Sequence, residues 1–266
     1  MLEKSLKKVY FDAHFHLADC ISDGCDDFFE FWSGCSCFHS QKEWEKGCLF
    51  LEQNKVFSSC DFTLFRAFGI HPQIADKNAQ FDFLENLCQL KQICAIGECG
   101  FDFFTSELLE NAAAQETAWN TQLDLAQNYG LPLIIHCRKA NQKLFEYSDC
   151  LKKLPAVLLH SFMGSPVEAK SLLNRGINGF FSFGKQLMNS NKKAIACFNE
   201  LPLENLLCET DAPFQTLKGE NHTFVSDIKK VYNVAYSLRQ KTFQTLSEDD
   251  FFETLLSNAH NFFAKS

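Results

Sequence analysis

Residues 126–139 read AQNYGLPLIIHCRK, and they hold in miniature the unit from which the fold follows. A helical run ends at Gly130, a residue suited to the left-handed turn that closes a helix, and Pro132 follows at once. A short apolar strand comes next. It finishes on His136 and Arg138, polar side chains at its C-terminal end.

Working outward in both directions, the same alternation recurs. Strands are expected over 9–17, 34–39, 63–70, 93–99, 131–137, 156–162, 179–183 and 205–210. Helices are expected over 41–53, 107–129, 139–151, 166–175 and 224–238. Strands alternating with helices imply a parallel sheet, and eight strands are the number that closes a TIM (β/α)8 barrel. A doubly wound open sheet is the alternative. No linker, low-complexity tract or repeat divides the chain, so residues 1–266 are expected to form a single domain.

Composition narrows the class. An apolar share of 46% with 22% charged residues suits a soluble globular protein, and no stretch has the run of apolar residues that a membrane helix needs. The N-terminal MLEKSLKKVYFDAH has no apolar core or cleavage site of a leader, which points to the cytoplasm. Thirteen cysteines are scattered without a C-x-x-C pair, the pattern of buried free thiols in a reducing compartment. The 29 phenylalanines against 5 tyrosines read as core filling. A formal net charge of −8 opposes broad attraction to a polyanion, so any contact with nucleic acid is expected to be local.

Active sites of a TIM barrel sit at the C-terminal ends of its strands, so polar residues there should gather at one rim. FDAHFHL (11–17) places Asp12, His14 and His16 on one face of an extended chain, with Phe11, Ala13, Phe15 and Leu17 on the other. The third strand ends in GIHP with His71, and the fourth in IGECGFD with Glu98 and Asp102. The fifth ends in His136 and Arg138, the sixth in His160, and the eighth in LLCETDAP with Glu209 and Asp211. Imidazoles and carboxylates converging in this way are metal ligands. Six of them, His14, His16, Glu98, His136, His160 and Asp211, are too many for one tetrahedral ion but fit two. Glu98 is the natural bridge, with His14, His16 and Asp211 on one ion and His136 and His160 on the other. Two such ions can stabilise the attacking and leaving oxygens of a displacement.

The set DAHFHL, GIHP, IGECGFDFF, LPLIIHCRKA, LLHSF, GFFSFG and LLCETDAPF, in this order, resembles the TatD family of metal-dependent deoxyribonucleases among the amidohydrolase-like barrels. The resemblance runs from about Val9 to Phe263. It implies the same six residues as metal ligands and hydrolysis of DNA phosphodiesters, usually from a 3′ end, by metal-activated hydroxide. Cys99 follows Glu98 where Thr or Ile is usual, and alternation should point it away from the metals. LKGENHTF keeps Lys218, Gly219 and Asn221 but lacks the proline that usually closes this loop.

Roles follow from chemistry. Glu98 and Asp211 are the catalytic carboxylates, Asp211 taking the proton of the nucleophile. Arg138 is the candidate phosphate clamp, with a salt bridge to a rim carboxylate as the alternative, and His71 a candidate substrate contact; Asp12 and Asp102 are expected to orient ligand histidines, the alternative being that they fix loops. Glu209 is expected to be structural, and His39, His222 and His260 have no assigned part. The cofactors are two divalent ions drawn from Zn, Mn, Mg, Co or Fe, with imidazoles favouring the softer members. The expected partner is DNA, single-stranded or at 3′ ends, acted on by a monomer with no membrane contact. Competing readings are a D-aminoacyl-tRNA deacylase, a small-molecule amidohydrolase or phosphotriesterase-like enzyme, and a catalytically dead barrel kept as a scaffold. The bridging carboxylated lysine common in small-molecule relatives is absent from the fourth strand, which offers Glu98.

Overall fold

The computed structural model describes residues 8–54, 63–76 and 79–264. Among these, eight strands form one sheet in the order of the sequence, each parallel to the next. They are β1 (Tyr10–Phe15), β2 (Trp32–Phe38), β3 (Thr63–Phe68), β4 (Ala95–Asp102), β5 (Leu133–Arg138), β6 (Val157–Leu159), β7 (Gly179–Phe183) and β8 (Leu206–Cys208). Just past β8 the amide of Asp211 donates to the His14 carbonyl at 2.9 Å, and the amide of His16 donates to the Ala212 carbonyl at 2.8 Å. These bonds join the last strand to the first at the C-terminal rim. The sheet is thus the barrel that the alternation implies.

The helices are α1 (Leu17–Asp23), α2 (Gln41–Gln53), α3 (Phe81–Gln89), α4 (Ser106–Glu110), α5 (Ala112–Tyr129), α6 (Asn141–Glu146), α7 (Ser148–Leu151), α8 (Pro166–Asn174), α9 (Lys192–Glu200), α10 (Ile228–Thr242) and α11 (Glu248–Phe263). Four of them, α1, α3, α9 and α11, were not among the expected helices. The helix expected over 107–129 divides at Asn111, whose side-chain amide is drawn off to the Ala75 carbonyl at 3.0 Å. The one over 139–151 divides at Tyr147, whose hydroxyl donates to Glu116 at 2.8 Å.

The alternation expected over 11–17 is also broken. Asp12 lies opposite Gly34, but Phe15 lies opposite Ser36, so β1 carries one extra residue, a β-bulge. Phe11 and Ala13 are buried in one cluster with Cys35, Cys37, Ala67, Ile134, Leu158 and Leu207, inside the barrel, whereas Phe15 joins the outer layer. Asp12 turns to Thr210 instead of sharing a face with the histidines.

Most strand residues are buried on both sides, as parallel sheets require. Outside, Phe15, Phe38, Phe68, Ile135 and Phe183 pack with helix residues such as Trp44, Trp119, Phe198 and Tyr232. Inside, the end of α11 seals the N-terminal mouth: the Phe263 ring lies 5.2 Å from Phe11 and 5.5 Å from Phe65, and Phe262 lies 5.8 Å from Phe180. Each such ring contributes roughly 1.5–3 kcal/mol by leaving water. The cysteines of the described residues are free thiols. Among the described residues no helix is long and apolar enough to cross a membrane.

Candidate metal centre

With one end plugged, polar side chains collect at the other, around Glu98 on β4. Two glycines let the neighbouring backbone close in. A Cβ on Gly100, at φ +132°, would stand 2.1 Å from the His136 carbonyl, and one on Gly97 would meet Ile134 at 2.6 Å. The β4–β5 approach that brings His136 to Glu98 therefore depends on both. Cys99, between them, lies in the outer layer with its thiol on the Ile134 carbonyl at 3.5 Å, away from Glu98 as expected.

The two oxygens of Glu98 face different groups. Oε2 is 3.2 Å from His14 Nε2 and 3.7 Å from His16 Nε2, while Asp211 Oδ1 lies 3.5 Å and 3.3 Å from the same two nitrogens. Oε1 is 2.8 Å from His136 Nδ1 and 2.5 Å from His160 Nε2. The six side chains singled out from the sequence thus come together around one carboxylate, His14, His16 and Asp211 beside Oε2 and His136 and His160 beside Oε1, with the His14 and His160 rings stacked at 4.1 Å. Donor atoms sharing a tetrahedral ion at about 2.1 Å stand roughly 3.4 Å apart, so most of these separations suit shared cations better than hydrogen bonds. His14, His16 and Asp211 form one group that could hold a metal ion, and Glu98 shares three more, with His14 and His160, with His16 and His39, and with His71 and His136.

Two further histidines complete a ring. Around Glu98 the imidazoles of His14, His16, His39, His71, His136 and His160 follow one another at centroid distances of 4.9, 5.4, 5.2, 4.6, 5.4 and 4.1 Å, the last returning to His14. His39, given no part from the sequence, has Nε2 at 3.6 Å from Glu98 Oε2. The signal was present, since it ends β2 as His71 and His160 follow β3 and β6. His71 has Nε2 at 3.4 Å from Oε1, deeper than a purely substrate-facing role implies. His222 is half exposed and pairs with Asp23 at 3.3 Å, away from this ring.

Supporting groups fix the ring. Asp102 Oδ2 lies 3.2 Å from His136 Nε2 and accepts from Gln73 at 2.8 Å, orienting that imidazole. Asp12 does something different from what was expected: it touches no ligand ring. Its carboxylate accepts from the Thr210 amide at 2.8 Å, the Thr210 hydroxyl at 2.6 Å and the His14 amide at 3.3 Å, pinning the backbone on either side of the site. Glu209 is buried and accepts from the amide and hydroxyl of Ser161 at 2.8 and 2.6 Å, a structural part as expected. Asp211 and Ser161 hold left-handed backbone, φ 55° and 46°, strain stored beside the ligating atoms. Arg138 is exposed and lies 3.5 Å over the Phe104 ring.

Electrostatics follow the geometry. Burial would push the Glu98 carboxyl up, but His160, His71 and His14 hold it well below its ordinary value. Burial likewise opposes charge on His136, yet Asp102 and Glu98 raise it to about 9. His71, with burial dominant over the pull of Glu98, falls to about 4 and stays neutral. A cavity of about 440 Å³ opens over the ring, lined by Glu98, Arg138, Asp211 and Phe214 among others.

The family model described as TatD related DNase matches residues 11–264. The chain belongs to the TatD-related DNase family. It is 34% identical over 184 residues to a protein of Cronobacter sakazakii named 3′-5′ ssDNA/RNA exonuclease TatD, covering 66% of this chain and 64% of that protein. A Pantoea ananatis protein of the same name is 35% identical over 153 residues, 55% of this chain and 56% of the relative. The match thus spans somewhat less than two thirds of these relatives' length. Among solved structures, a TatD homolog from Escherichia coli superposes with a TM-score of 0.79 at 22% identity, covering 97% and 98% of the two chains. A TatD family hydrolase from Entamoeba histolytica gives 0.75 at 18%, covering 98% and 100%. These likenesses show the fold, shared over 97–98% of this chain.

Proposed function

We propose that this protein is a divalent-metal-dependent hydrolase that cleaves phosphodiester bonds of single-stranded DNA, working from a 3′ end. The observation that carries the reading is Glu98, one carboxylate with an imidazole set on each of its two oxygens. In this reading His14, His16 and Asp211 would hold one ion and His136 and His160 the second, with Glu98 shared between the two. Zn, Mn, Co and Fe suit this donor set better than Mg, which prefers oxygen. Such ions, when bound, lower the pKa of water and counter charge on phosphate oxygens.

The chain's own groups account for the remainder. Asp211 accepts from Gln215 at 3.2 Å through Oδ2 and lines the cavity, where it can take the proton of the attacking water. Arg138, for which no carboxylate partner is found among the described residues, has its guanidinium free for two phosphate oxygens. His71 donates to Glu98 and keeps it ionised. The names of the relatives support nucleic acid as the substrate class.

The test is elemental analysis of the purified protein joined to cleavage of end-labelled oligonucleotides, with D-aminoacyl-tRNA assayed beside them. Metal-stimulated shortening from the 3′ end, abolished in Glu98→Ala and Asp211→Asn, is the expected result. Deacylation without DNA cleavage, or activity unchanged in both variants, overturns it.

A further inference from the structure

The Nε2 atom of His39 is buried and has no hydrogen-bond partner. The other ring nitrogen decides what that atom presents. Nδ1 lies 3.2 Å from the Gly69 carbonyl, which can only accept, so Nδ1 carries the hydrogen and Nε2 of the neutral ring is a bare lone pair. It points at Glu98 Oε2 from 3.6 Å. Two electron-rich atoms facing each other out of water repel unless a proton or a metal ion stands between them; Glu98 does favour the protonated ring, but the 3.6 Å gap is longer than a hydrogen bond would leave.

His71, its neighbour in the ring, has the opposite polarity. Its Nδ1 accepts from the Gln73 amide at 3.2 Å, so its Nε2 carries the hydrogen and donates toward Oε1. Of the two imidazoles outside the expected ligand set, His71 offers a proton to the carboxylate and His39 offers a lone pair.

The His39 position is also built. Its amide donates to Glu43 Oε2 at 2.8 Å, and Ser40, the N-cap of α2, donates to the other oxygen of Glu43 at 3.0 Å. The backbone is thus anchored where β2 meets α2, and the Gly69 bond fixes the ring's rotation. A separation of 3.6 Å is too long for a hydrogen bond, yet it falls near the roughly 3.0–3.6 Å between donors sharing one five-coordinate ion at about 2.1 Å. His16 Nε2 lies within reach of the same point.

Resting on the reading that Glu98 is shared by two cations, we propose that His39 is an additional ligand to the ion held by Glu98 Oε2 and His16. A third imidazole on that side makes the position nitrogen-rich, selecting Zn or Co over Mg. The TatD-related site of this chain is then asymmetric, with its tighter ion on the His39 side.

Two experiments decide it. The whole chain is labelled with 15N-histidine, stripped by chelator and titrated with Zn2+. The imidazole nitrogens of His14, His16, His39, His136 and His160 are expected to take metal-bound shifts, with His71 unbound. Shifts in the other four while His39 stays unmoved overturn the proposal; no shift in any ring overturns the two-cation reading beneath it. Separately, His39→Gln is expected to weaken one of two Co2+ ions by about 10–100-fold, the range of losses seen when support for a metal site is removed, and to alter the Co2+ visible spectrum. Wild-type affinities with an unchanged spectrum overturn the assignment, and the labelled wild type decides the matter should the variant not fold.

Discussion

The imidazole of His136 stands between two carboxylates, Nδ1 at 2.8 Å from Glu98 and Nε2 at 3.2 Å from Asp102. Asp102 is held in turn by the Gln73 side chain and by the Phe104 amide at 2.9 Å, and although burial opposes its charge, these bonds and His136 bring its carboxyl down to about 2. It therefore stays an acceptor throughout the neutral range and fixes which nitrogen of His136 faces the site.

Asp102→Asn should consequently leave the barrel folded but lower the affinity for one ion by about 10–100-fold, because the amide cannot serve both donors as the carboxylate does. Competition with a chromophoric chelator measures this. Wild-type affinity in the variant would remove Asp102 from the supporting role.

Arg138 makes the second prediction. Its guanidinium rests 3.5 Å over Phe104, with Lys139 at 4.4 Å from the same ring. Arg138→Ala should raise KM for single-stranded oligonucleotides about tenfold, equivalent to roughly 1.4 kcal/mol, with a smaller effect on kcat. The salt dependence of binding should become shallower by about 0.7 in logarithmic slope, the loss of one phosphate contact. An unchanged slope would mean that the guanidinium meets no phosphate.

A third prediction concerns stability against acid. Lys185 is buried and pairs with Asp227 at 2.7 Å and with Glu220 at 2.5 Å, while Lys230 reaches Asp227 at 2.6 Å. Burial alone would raise the Asp227 carboxyl, but Lys185, Lys230 and the Phe224 amide hold it below its ordinary 3.8. A depressed carboxyl adds stability that is complete above its unfolded pKa and is lost as the pH falls through the folded value. The melting temperature should therefore fall below about pH 4. Asp227→Asn should cost about 3 kcal/mol at pH 7, since Lys185 loses a buried partner, and should flatten the acid decline. Equal acid sensitivity in variant and wild type would refute this.

The barrel and most of its rim were legible because both follow from local signals. Apolar runs closed by Gly130 and Pro132 mark element boundaries, and a polar residue ending such a run marks the rim. His39 carries that same signal at the end of β2, but no motif surrounds it. The tautomer that makes it interesting depends on the Gly69 carbonyl, thirty residues away in the chain, and no local pattern encodes that. The β1 bulge was equally hidden. Period-two reading assigns faces only while register is kept, and one extra residue moved Asp12 off the histidine face to Thr210. Helix α11 had readable signs, a Ser247 N-cap and acidic residues in its first turn, but its role as the barrel's plug emerges only from where Phe262 and Phe263 end up.

The most direct test is anomalous diffraction from crystals of the protein soaked with Zn2+. Two peaks are expected about 3.5–4 Å apart on either side of the Glu98 carboxylate, one beside His14, His16 and Asp211, the other beside His136 and His160. A single peak, or peaks that leave Glu98 unligated, would contradict the two-cation reading.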